Sequence, residues 1–114
     1  MIFEIVAEDD PVFRDSDSLG SRFAVFRKSE VELMHYRFDH GDLFELLPVE
    51  IERAIGKLEE LGRLRACKIF TGGREFAVEP GFFVELVYGV KMVMDAATER
   101  TLQAISSAVK ELWK

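Results

Sequence analysis

Apolar residues alternate with polar ones along some stretches of the chain and recur every third or fourth position along others. These two periods divide it into elements. "IFEIVA" (2 to 7) is a short β-rich run, and "RFAVF" and "VELMHYRF" on either side of "RKSE" predict a hairpin of residues 22–27 and 31–38. A competing reading makes "SEVELMHYRF" a helix capped by Ser29, with Val31, Met34 and Phe38 on one face. The density of β-branched and aromatic residues favours the strand. "DHGDLFELL" (39 to 47) then holds a short helical turn capped by Asp42, and Pro48 suits the first position of a new helix. In that helix Ile51, Ile55, Leu58 and Leu61 repeat with Ala54 beside them, opposite a charged face, and Gly62 supplies the left-handed residue that ends it. "RLRACKIF" and "REFAVE" return to period two around the turn "TGG", a second hairpin.

"FFVELVYGVKMVM" fits both periods. As a strand it places residues 82, 84, 86, 88, 90, 92 and 94 on one apolar face, with Glu85, Gly89 and Lys91 on the other. As a helix it would run without interruption into the next segment, from 82 to 113, for roughly 48 Å. A globule of this chain length is only about 34 Å across. Such a helix would protrude and imply a dimer. The strand is the favoured reading, ended by Asp95 as the N-cap of a last helix with Leu102, Ile105, Val109 and Leu112 as its buried stripe. The predicted fold is α+β, a single small domain of N-terminal strands, a central amphipathic helix, a β-hairpin, a further strand and a C-terminal helix.

Composition agrees with one compact core: 114 residues suit one domain, and ten phenylalanines supply bulk. "EDDPVFRDSDSLGS" (8 to 21) gathers acids, serines, Pro11 and Gly20 into a surface loop. The single cysteine, Cys67, excludes an intrachain disulfide and reads as a small buried hydrophobe. "MIFEIVAEDD" lacks the basic start of a signal peptide, and no apolar run is long enough to span a membrane, so the cytoplasm is the expected location. A net charge of −6 opposes non-specific attraction to nucleic acid, so a nucleic-acid binder would need a local basic face.

"ELLPVEIERAIGKLEELGRLRACKIFTGGREFAVEP" resembles the second half of a winged helix-turn-helix domain of the MarR-like and ArsR-like kind, over about a third of the chain. The family pattern is a helix with apolar positions at Ile51, Ile55 and Leu58, then "LEELG", then two strands joined by a wing turn. The resemblance implies binding of double-stranded DNA in transcriptional regulation. The helix from Pro48 would enter the major groove, with Val49, Glu50, Glu52 and Arg53 near base edges and Lys57 near phosphate. Lys68 and Arg74 would sit on the wing. The element order strand, strand, helix, three strands, helix, with an extra N-terminal strand, looks like the profilin-like layout of roadblock and longin domains. That likeness implies a dimerising or partner-binding module without nucleic-acid binding. Either way a homodimer is expected, with Leu102, Ile105, Val109 and Trp113 as its candidate interface.

Catalytic chemistry finds little support. His35, Asp39, His40 and Asp42 are of metal-ligating types, but no second cluster completes a set. "DSDS" (15 to 18) opens like a calcium loop without the glycine and glutamate at their offsets. "TGGR" (71 to 74) offers amides and an arginine to an anion, yet it follows no phosphate-loop pattern and reads as a turn. Phe76, Phe82, Phe83 and Tyr88 are interleaved with acids rather than with the bases a nucleic-acid stacking platform uses. The expectation is a binding module that is not an enzyme and carries no cofactor.

Overall fold

The computed structural model describes residues 1–8, 24–27 and 32–112. Strands β1 (Ile2–Glu8), β2 (Ala24–Arg27) and β3 (Glu32–Asp39) are followed by a 3-10 turn (His40–Phe44) and helix α1 (Pro48–Glu60). Strands β4 (Leu64–Thr71) and β5 (Arg74–Val78) then lead into helix α2 (Pro80–Leu112). The five strands form one antiparallel sheet in the order β2-β3-β1-β4-β5. The fold is α+β, as the two periods predicted, and residues 32–39 are strand rather than helix. The acidic stretch from residue 9 to 21 and the "RKSE" turn lie outside the described residues, apart from Arg27 at the end of β2.

One face of the sheet makes the core. Phe3 stands opposite Phe38 on β3 and Ile69 on β4, and Ile5 stands opposite Tyr36 and Cys67, so successive inward residues stack into rows across three strands. Ile51, Ala54, Ile55 and Leu58 of α1 cover these rows together with Phe83 and Val87 of α2, all buried. Phe3 stacks on Phe38 at 5.1 Å between ring centroids, and Phe83 meets both rings edge-on, at 5.5 and 6.2 Å. Leu61, the last of the predicted α1 stripe, is exposed beyond the helix end. There the Gly62 amide donates to Glu59 and the Arg63 amide to Leu58, a Schellman closure that requires the positive φ of Gly62, 66°. The hairpin turn is made by Gly72 and Gly73, both at positive φ, as a two-residue loop demands.

Four expectations are corrected. Residues 82–94 are helix, not strand. Their buried Phe83 and Val87 and half-buried Val84, Leu86, Val90 and Met94 recur at helical spacing, while Phe82, Tyr88 and Met92 of the supposed strand face are exposed. Pro80 starts this helix in the first-turn position that suits proline, and the Phe83 amide closes on the Glu79 carbonyl at 2.9 Å. Asp95 therefore caps nothing. It lies within α2 and pairs with Lys91 at 3.0 Å. Among the described residues no strand follows β5 and only two strands follow the central helix, so they do not have the profilin-like element order. Finally, the 3-10 turn is capped by Asp39, whose carboxylate accepts from the amides of Gly41 and Asp42. Asp42 reciprocates by accepting from the Asp39 amide at 2.8 Å.

Candidate functional site

The 33 residues of α2 give it a length of about 50 Å. A body of this chain length has a radius of gyration near 13 Å. The observed value is 17.9 Å, with extents of 69 × 32 × 22 Å, because the helix outruns the sheet it packs on. Its first half is held by Phe83 and Val87 in the core and by Val84, Leu86, Val90 and Met94 at the margin. From Asp95 to Lys110 every described side chain is exposed.

Large apolar side chains mark the point where the helix leaves the body. Phe44 is 65 % exposed, Met92 70 % and Val93 69 %, and Ile105 farther out is 56 % exposed. On the α1 side, Tyr88 and Glu52 line one hollow together with Val84, Met92 and Glu99. Desolvation and then the charge of Glu52 push the Tyr88 hydroxyl above its usual value. A second, almost wholly apolar hollow lies on the other side of α2, between His40 and Leu86, Val90 and Val93.

The sheet face away from the helices carries a charged ladder. Glu4, 2 % exposed, stands opposite Arg37 on β3 and Lys68 on β4. Its carboxylate accepts from His35 Nδ1 at 2.9 Å and from Arg37 Nε. Burial raises the Glu4 carboxyl, but the hydrogen bonds and charges of Arg37 and His35 outweigh it and hold the group below its usual value. The Arg37 guanidinium also lies over the Phe70 ring at 4.7 Å. Glu8, bonded by Arg65 and Arg63 at the strand end, is likewise held low.

The sequence-derived DNA residues do not share one surface. Arg53 is exposed and Glu50 and Lys57 are half-buried on α1, and Arg74 is exposed at the hairpin turn. Lys68 faces the opposite side of the sheet, beside Glu4, and pairs with Glu75 at 2.7 Å. Upstream of α1, where a winged helix has helices, stand β1 to β3. Of the dimer candidates, Ile105 is exposed, Leu102 and Val109 are placed on α2, and Trp113 lies outside the described residues.

Among the described residues no three His, Cys, Asp or Glu side chains gather as a metal set; His35 is engaged with Glu4, and Asp39 and Asp42 cap the 3-10 turn. Cys67 is buried, and desolvation, then the Glu59 charge, pushes its thiol up to about 12, so it offers no thiolate at neutral pH. No helix among the described residues is long and apolar enough to cross a membrane. No family model, curated protein or solved structure matches the chain. Sequence reasoning missed the ladder centred on Glu4. Its alternation of acid and base in "FEI" and "HYRF" was visible, but the register that brings Glu4 to His35 and Arg37 was not.

Proposed function

We propose that the chain is a non-catalytic protein-interaction module whose binding element is the projecting half of α2. One observation carries this reading. The apolar stripe that packs on the sheet as Phe83, Val87, Val90 and Met94 continues past the body as Leu102, Ile105, Val109 and Leu112, within about a sixth of a turn of the same direction. Helices in proteins draw most of their stability from packing an amphipathic face rather than from intrinsic preference. Thr98, Thr101, Ser106 and Ser107 lower the intrinsic helix preference further. A segment of this composition is best accounted for as a helix that gains its packing from a partner.

The reading through α1 has weaker support. Glu50 and Glu52 flank Arg53 on the surface that would approach a duplex, and Lys68 lies on the far side of the sheet. The test is fluorescence anisotropy with random-sequence duplex DNA at low salt and at about 200 mM. No salt-sensitive binding is expected. Tight binding that weakens steeply with salt, and that is lost in Arg53→Ala/Lys57→Ala, would replace the interaction reading with the DNA-binding one.

A further inference from the structure

We infer that the hollow on the α1 side of α2 is the seat of a cationic amphipathic helix from another protein; this names the partner of the interaction reading above and rests on it. The floor of the hollow is apolar, supplied by Val84, Tyr88, Met92 and Ala96. Tyr88 is 41 % exposed and Met92 70 %, so both have apolar surface left for a partner to cover. Apolar surface gathered in one hollow, rather than scattered singly, marks a contact site. Asp95, Ala96 and Glu99 line the hollow and belong to the projecting half of α2, so the hollow and the projecting helix are one continuous surface.

The length of this surface selects a helix. Glu85, Met92 and Glu99 follow one another at seven-residue spacing and lie nearly in one row, about 21 Å from end to end. Tyr88 and Asp95 make a second row with the same spacing. Rows of this period accept the three- and four-residue ridges of another helix, with Glu52 of α1 on the opposite wall. A small organic cation would cover only one end of such a row.

The charge selects a cationic helix. Four carboxylates, those of Glu52, Glu85, Asp95 and Glu99, border the apolar floor. Among the described residues that line the hollow the one cation is Lys91, and it pairs with Asp95 at 3.0 Å. A helix that lays apolar side chains on Tyr88 and Met92, with lysines or arginines on either side, meets a carboxylate at both ends of the row. A second copy of this chain, with its net charge of −6, brings more carboxylates to the same place, and nucleic acid brings phosphates. Both are opposed by like charge.

The probe is a fluorescein-labelled peptide of leucine, alanine and lysine, patterned as an amphipathic helix of about 18 residues, long enough to span the row. Two controls accompany it: the same pattern with glutamate in place of lysine, and a scrambled sequence of the lysine composition. Anisotropy titrations of the full chain are expected to show the lysine helix binding at least tenfold more tightly than either control, and weakening between about 50 and 200 mM salt. Glu85→Lys/Glu99→Lys, at two exposed positions, is expected to weaken that binding at least tenfold. Glu60→Lys/Glu75→Lys changes the net charge equally at exposed positions outside the hollow, and is expected to alter the binding by less than about twofold. Equal affinity for the glutamate peptide, binding that Glu85→Lys/Glu99→Lys leaves untouched, or no binding of the lysine helix at about 100 µM overturns the inference and leaves an interaction module for a different partner. The interaction reading itself falls by the DNA titration, whichever peptide binds: salt-sensitive DNA affinity lost in Arg53→Ala/Lys57→Ala removes it.

Discussion

Phe83 and Ile105 lie near one line along α2, about 33 Å apart on its axis, yet Phe83 is wholly buried and Ile105 is 56 % exposed. The same helix face thus serves two purposes. Near its start it closes the domain's own core, and beyond Met94 it has no sheet beneath it.

These two positions should respond oppositely to substitution. Phe83→Ala removes a ring packed on Phe3 and Phe38 and is expected to cost about 3–5 kcal/mol in urea unfolding. Ile105→Asp is expected to change the unfolding of dilute protein by less than about 0.5 kcal/mol. If Ile105→Asp unfolded the dilute monomer, the projecting half of α2 would belong to the core.

The Glu4 carboxylate gives the fold an acid dependence of known sign. Its folded value lies below the ordinary 4.5 because Arg37 and His35 hold the charged form. Its stabilisation is therefore complete above about pH 4.5 and is lost as pH falls through the folded value. Glu4→Gln is expected to cost about 1–3 kcal/mol at pH 7, and the gap between variant and native chain should close as pH falls below 4.5 and through the lowered folded value. Urea midpoints across that range are the measurement, and a gap independent of pH would show that Glu4 contributes by packing alone.

The elements whose signal is local were legible in the sequence. The α1 stripe, the Gly62 stop and the Gly72–Gly73 turn each follow from a few neighbouring residues, and the structure has them where the patterns put them. Residues 82–94 were misread because they are apolar at both even and odd positions, and a helix about 50 Å long looked too large for a body about 34 Å across. The premise was sound, since the helix does protrude. What failed was the assumption that the domain must enclose all of it. The Glu4 ladder was invisible for a different reason. It depends on a register between β1 and β3 that joins residues 31 and 33 positions apart, and nothing local encodes that pairing.

Two glycines at opposite ends of the conformational range give the last test. Gly56 sits inside α1, exposed, with nothing within 4 Å of where a Cβ would stand. Gly62 has equal room but a φ of 66°, which a side chain strains. Gly56→Ala is expected to stabilise by about 0.5–1 kcal/mol, because alanine loses less backbone entropy in a helix. Gly62→Ala is expected to destabilise by about 1 kcal/mol, since the Schellman bonds from Gly62 and Arg63 must hold the left-handed residue in place. Denaturant midpoints for the two variants should therefore move in opposite directions. With open space around both sites, packing offers no alternative source for the difference, so matching shifts would mean that α1 does not end at Gly62 in solution.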